Sequence, residues 1–176
     1  MRRTENLILS AFFAALTAIL SQLVIPIAPV PINMALLSVF MAGRLLGPRY
    51  GALSQLIYLL VGAAGAPVFS LMRGGLWVLA GPTGGYILGY IPAAYIAGLN
   101  SERAGARDSA LYISLGLAVC YIFGTTWFCI VTGTGPVAAL AACVLPFLPG
   151  DALKIIASAT LSSRLSPFIE RRRGRV

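Results

Sequence analysis

Of 176 residues, 59% are hydrophobic and 10% charged, with a mean hydropathy of +0.89, whereas soluble domains carry about 25% charged residues; that balance excludes a soluble globular enzyme. The net charge of +8 comes from basic residues that punctuate apolar runs and do not cluster on one face, so it marks membrane topology and not a nucleic-acid surface. There is no histidine, which removes the commonest metal ligand and the commonest acid/base at neutral pH, and neither a metal nor a cofactor is expected.

Charge-free stretches and Gly/Pro punctuation predict six spans, near 6–25, 33–47, 50–69, 79–99, 109–131 and 149–167. A spanning helix takes about 20 apolar residues, so six of them consume nearly the whole length. The expected architecture is all-α, an integral membrane six-helix bundle forming a single domain, 1–176, in the lipid bilayer. The apolar run after Arg2 and Arg3 continues past the length of a short leader and reads as the first span. Between the first two spans, Pro26, Pro29 and Pro31 remove N–H donors and break helical continuity. Gly47-Pro48-Arg49-Tyr50-Gly51 and the polar stretch Asn100 to Asp108 read as loops. With both termini in the cytoplasm, eleven of the thirteen basic residues fall on that side: Arg2, Arg3, Arg44, Arg49, Arg103, Arg107, Arg164, Arg171, Arg172, Arg173 and Arg175. Arg73 is then external and Lys154 embedded, which agrees with the positive-inside rule. Cys120, Cys129 and Cys143 have no metal-ligand spacing and read as packing residues.

The segment Gly62 to Gly89 is glycine-rich and carries Pro67 and Pro82. Irregular backbone at membrane depth must be buried in protein or line a cavity, so this stretch reads either as a ligand cavity or as a place of close helix packing. Asp151 and Lys154, the only lysine, are the sharpest feature. At i,i+3 they share a helix face, just after Pro149 and Gly150, where a helix start favours an aspartate. Each charge costs roughly 2.5–3.5 kcal/mol near the bilayer centre. The pair is therefore either part of a substrate path or a self-neutralising structural pair. Arg73 is positioned to meet an anionic ligand or to be a solvated loop residue. Ala11, Ala14, Ala15 and Ala18 give two overlapping small-xxx-small pairs, a spacing that lets a partner helix approach closely but arises easily in alanine-rich helices. No GxxxxGK[ST] is present, so the chain has no P-loop, and any ATP-driven step belongs to another subunit.

Gly47-Pro48-Arg49-Tyr50-Gly51, Gly65-Ala66-Pro67-Val68-Phe69, Gly74-Gly75, Gly81-Pro82-Thr83-Gly84-Gly85-Tyr86 and Pro149-Gly150-Asp151-Ala152-Leu153-Lys154, in this order from about Pro29 to Lys154, together resemble the BioY family. These are the biotin-specific capture subunits, or S components, of energy-coupling-factor transporters. The resemblance implies a six-helix protein of the prokaryotic cell membrane that is not an enzyme. It would take biotin from outside and associate with a membrane coupling protein and two ATPase subunits, the alanines of the first helix meeting the coupling protein. Biotin's ureido ring has two N–H donors and one acceptor; Asp151 is expected to accept from it and Lys154 to donate to the ureido oxygen or the carboxylate. The carboxylate otherwise needs Arg73 or backbone N–H groups near Gly84 and Tyr86, with Tyr86 and Trp77 as the apolar wall. The rival readings are capture of a different vitamin, an intramembrane enzyme using Asp151 and Lys154 as an acid/base pair, and an ion or proton channel.

Overall fold

The computed structural model describes residues 3–25, 30–99, 101 and 105–172, the side chains of 106 and 167–172 excepted. Pro26, Pro29, Asn100, Arg2, Arg103, Arg173 and Arg175, all used in reading the topology, lie outside the described residues, as do the side chains of Arg171 and Arg172.

Six principal helices carry the six expected spans. They are α1 (Arg3–Ser21), α2 (Ala35–Leu46), α3 (Pro48–Ala63), α5 (Gly84–Gly98), α6 (Ala106–Thr132) and α8 (Leu148–Arg172). Two short helices, α4 (Leu76–Ala80) and α7 (Pro136–Cys143), and a two-stranded antiparallel hairpin, β1 (Val24–Ile25) with β2 (Ile32–Asn33), complete the bundle. The architecture is thus an all-α membrane bundle. By length and apolarity alone, α1 and residues 107–132 of α6 each suffice to cross a bilayer, and α7 with residues 148–166 of α8, bent by 58° between them, has the length and apolarity of a broken span or a re-entrant loop. The other principal helices are shorter: α2, at 12 residues, rises only about 18 Å. The third expected span ends early, because Gly62 and Gly65 stop α3 and leave 64–75 as an irregular loop leading into α4.

Close approach sets the helix arrangement. Gly47, at φ 83°, is the one residue between α2 and α3 and folds them back on each other. A Cβ at Gly43 would fall on the Ala94 carbonyl of α5, and one at Gly51 on the backbone of Gly43. Backbones that near gain van der Waals packing, the force that remains between helices when lipid is as apolar as leucine.

Polar side chains stitch the rest. Ser10, Thr17, Ser38, Ser54 and Gln55 are fully buried. Across α1, α2 and α3, the Thr17 hydroxyl lies 3.0 Å from Ser38 Oγ, and Gln55 Nε2 donates to Ser54 Oγ at 2.9 Å and Thr17 Oγ1 at 3.3 Å. Arg44, counted in the sequence among the cytoplasmic basic residues, is buried. Its guanidinium donates to the carbonyls of Ala97 (3.2 Å) and Leu99 (3.1 Å) and to Ser109 Oγ (2.8 Å), tying the end of α5 to the start of α6.

Candidate functional site

Leu148 opens α8, and Asp151 sits in its first turn, where the unpaired N–H groups of a helix start favour a carboxylate. One turn later Lys154 reaches back along the same face and donates to Asp151 Oδ1 at 2.7 Å. Both side chains are withdrawn from the surface, at 1% exposure for Asp151 and 5% for Lys154. The second carboxylate oxygen accepts from the Tyr121 hydroxyl of α6 at 2.5 Å. A charge-assisted bond of this kind is about twice as strong as a neutral one. Neither charge is bare, as burial in a bundle requires.

These groups form one side of a cavity of about 100 Å³. Tyr58 of α3, Tyr90 and Tyr86 of α5, and Phe69 of the 64–75 loop supply its aromatic surface. Tyr58 and Tyr90 stack with centroids 6.3 Å apart, and Phe69 meets Tyr58 edge-on at 5.5 Å. Asn33 and Thr83 add polar groups, and Arg73 and Leu71 line the cavity from exposed positions. The Tyr86 hydroxyl lies 3.2 Å from Thr125 Oγ1, which fixes its ring against α6.

The loop carrying Phe69 and Arg73 is held from several sides. Phe69 and Arg73 pair backbone to backbone, at 2.9 and 3.2 Å, around the turn Ser70–Met72. Within that turn Leu71 and Met72 have left-handed φ of 63° and 55°, a conformation costing roughly 1–2 kcal/mol per non-glycine residue. Gln22, just past the end of α1, compensates: its Nε2 donates to the carbonyls of Val68 (3.2 Å) and Phe69 (3.1 Å), and its Oε1 accepts from the Met72 N–H (2.9 Å). Ser21 and Tyr58 also donate to the Val68 carbonyl, at 2.6 and 3.2 Å. Asn33 Nδ2 donates to Ser70 Oγ at 2.7 Å, joining the hairpin to the same loop.

Of the residues singled out in the sequence, Asp151, Lys154, Arg73 and Tyr86 therefore come together around one cavity. Trp77 and Gly84 are not among its lining residues. Trp77 is 63% exposed on α4. Gly84 is buried under the end of α4, where a Cβ would strike the Leu79 carbonyl, so its glycine serves packing at that turn. The aromatic wall expected of Trp77 falls to Tyr58, Phe69 and Tyr90. These three, with Tyr121 and Asn33, were missed in the sequence; the only available signal was a hydroxyl-bearing tyrosine in the middle of each of three apolar helices.

On α1 the two alanine pairs separate. Ala14 is buried and Ala18 packs half-buried on the core, whereas Ala11 and Ala15 are exposed among Ile8, Phe12 and Ile19.

The BioY family profile matches residues 1–171. The probable biotin transporter BioY of Pyrococcus horikoshii is 37% identical over 163 residues, covering 93% of this chain and 97% of the relative. The biotin transporter BioY of Rhizobium etli is 40% identical over 172 residues, covering 90% and 91%. Among solved structures, the S-component for biotin from an ECF-type ABC transporter superposes with a TM-score of 0.86 at 29% identity, covering 93% of this chain and 92% of that one.

Proposed function

The chain belongs to the BioY family, and from that membership and the chemistry of its cavity we propose that it captures biotin and passes it to an ATP-driven energy-coupling-factor transporter. The observation that carries this reading is the Asp151–Lys154 pair, withdrawn from solvent and lining an aromatic cavity. A ureido ring needs an acceptor for its two N–H groups and a donor for its oxygen. A carboxylate oxygen keeps lone pairs free after accepting one bond, and an ammonium has three donors, so Asp151 and Lys154 answer both needs while bonded to each other. Tyr121 holds the carboxylate from behind. Tyr58, Phe69 and Tyr90 cover the ring faces, and Arg73 meets the ligand's carboxylate at the exposed edge.

The cavity volume of about 100 Å³ is below the several hundred Å³ usual for small-molecule pockets. Ligand entry on this reading moves the loop 64–75, whose Leu71 and Arg73 are the exposed lining.

The partners that the family membership implies are a membrane coupling protein and two ATPase subunits; the lack of a P-loop in this chain agrees with ATP hydrolysis by another subunit. The exposed alanines, Ala11 and Ala15, supply the close-approach face for the coupling protein, with Ala14 and Ala18 supporting α1 from within. Placement in the prokaryotic cell membrane with both termini cytoplasmic rests on the arginine distribution.

The test is binding of labelled biotin to purified protein in lipid nanodiscs, with excess thiamine and riboflavin as competitors and Asp151→Asn as the site variant. Biotin-selective binding that weakens in the variant is expected. Binding displaced equally by the other vitamins would transfer the reading to a different ligand, and unchanged affinity in Asp151→Asn would remove that residue from the site.

A further inference from the structure

Arg73 reaches the rim of the ligand cavity from an exposed position. Among the described residues its guanidinium has no hydrogen-bond or ion-pair partner. A side chain without a partner of its own can sweep only the volume that its backbone allows, so whatever fixes the Arg73 backbone decides where this charge can stand.

That backbone lies on the leaving arm of the turn Ser70–Met72. Its reciprocal bonds with Phe69 close the turn on itself but do not place the turn against the bundle. The hydroxyls of Ser21 and Tyr58 reach only the Val68 carbonyl, on the entering arm, and Asn33 reaches only the side chain of Ser70. Gln22 alone, among the described residues outside the loop, bonds the backbone of both arms. Its Nε2 serves Val68 and Phe69, and its Oε1 takes the N–H of Met72, the residue before Arg73. The next backbone anchor is two residues beyond Arg73, where the Gly75 N–H donates to the Gly62 carbonyl at 2.7 Å.

The Gln22 amide is itself held in one orientation. Its Nε2 also lies 3.0 Å from Ser21 Oγ and 3.3 Å from the Ala18 carbonyl; three carbonyls around one end of an amide require the NH2 there, which leaves the oxygen for Met72. Left-handed Leu71 and Met72 are strained for residues with a Cβ, and strain of this kind persists only where the surroundings over-determine it. Gln22 supplies that constraint on the arm that carries the charge.

We propose that Gln22 is a positioning residue: by fixing the turn it holds Arg73 at the cavity rim, and so sets the preference of the site for a ligand carboxylate over a neutral end group. This rests on the capture reading, in which Arg73 meets the carboxylate of biotin.

The experiment is a double-mutant cycle in lipid nanodiscs with Q22M, R73Q and the double variant, each titrated with biotin and with uncharged biotinamide. Met keeps the length of Gln22 and removes both hydrogen-bonding ends. Q22M is expected to lower the biotin-to-biotinamide preference by up to about fivefold, the scale of an exposed ion pair. It should act through biotin alone and have no further effect once R73Q is present, because two residues serving one contact are not additive. Should Q22M not accumulate, Q22N, whose amide falls one carbon short of the loop, gives the same comparison. An unaltered preference, an equal weakening of both ligands, or effects of Q22M and R73Q that simply add would each overturn the proposal. Failure of the unsubstituted protein to bind biotin would instead overturn the capture reading, and the proposal with it.

Discussion

Removing Lys154 alone tests whether the buried pair holds the fold, the ligand or both. Lys154→Met keeps an apolar side chain of similar length but leaves Asp151, 1% exposed, with a carboxylate whose remaining side-chain donor is Tyr121. Breaking a buried ion pair on one side costs roughly 3–5 kcal/mol. The Tyr121 bond and the helix start both favour the lone carboxylate, so the lower end applies, about 3 kcal/mol. At about 2–4 °C per kcal/mol for a chain of this size, the melting temperature in nanodiscs falls by roughly 6–12 °C. Adding Asp151→Asn removes the uncompensated charge, and the double variant is expected to melt within a few degrees of the unsubstituted protein, since apolar or neutral replacement of a whole buried pair is often neutral. Labelled-biotin binding, measured in the same samples, is expected to be lost in both. If Lys154→Met melts like the unsubstituted protein, the carboxylate does not depend on the ammonium. If the double variant binds biotin normally, the pair serves the fold and not the ligand.

Other variants probe separate parts of the molecule. Arg73→Gln is expected to weaken biotin by up to about fivefold, the scale of an exposed ion pair, while leaving uncharged biotinamide unchanged; an equal loss for both ligands would remove Arg73 from the carboxylate. Gln22→Leu deletes the bonds to Val68, Phe69 and Met72, each worth roughly 0.5–1.5 kcal/mol. Amide hydrogen exchange at residues 68–73 should then quicken by at least about tenfold, and unchanged protection would show that other contacts hold the loop. Gly43→Ala places a methyl on the Ala94 carbonyl and should cost about 1–3 kcal/mol by overpacking, read as a lower melting temperature; an unaltered melt would mean that α2 and α5 can separate freely. Ala15→Leu, on the exposed face of α1, is expected to block co-purification with the coupling protein and leave biotin binding intact, whereas Ala14→Leu, pointing inward, should lower stability instead.

The features legible in the sequence were those in which one residue type is out of place in its surroundings. Asp151 and Lys154 stand out because charges are expensive in an apolar helix, and the six principal helices follow from hydropathy. The break between α2 and α3 at Gly47 likewise follows from glycine and proline chemistry, whereas the stop of α3 at Ala63 and the start of α5 at Gly84 did not, the expected spans having run to 69 and from 79. What could not be read is whatever depends on helix rotation. Tyr58, Tyr90 and Tyr121 meet around the cavity because α3, α5 and α6 turn those faces toward α8, and that choice is made by glycine contacts such as Gly43 on Ala94 and Gly85 on Trp127, which join residues far apart in the chain. The same cause separates Ala11 and Ala15 from Ala14 and Ala18: both pairs satisfy the spacing, and only the side on which α2 and α3 pack decides which faces outward. Trp77 misled for a simpler reason. Beside Gly74-Gly75 it looks like a pocket wall, but α4 is five residues long and presents it to the outside. The helix α7 went unseen because eight apolar residues are too few to register as a span.

The ion pair lies within one helix, three residues apart, and does not join two helices. A bond between neighbouring helices can form only once both are in the bilayer and docked, so each helix would have to enter the membrane carrying a naked charge. Here Asp151 and Lys154 neutralise each other as soon as the first turns of α8 have wound, and the segment can pass from the insertion machinery into lipid as a dipole. The arrangement therefore makes biogenesis of the last span independent of the order in which the bundle assembles. An insertion reporter fused to an isolated α8 should show efficient integration that drops in Asp151→Asn, and equal integration of the two would show that the pair confers no such benefit.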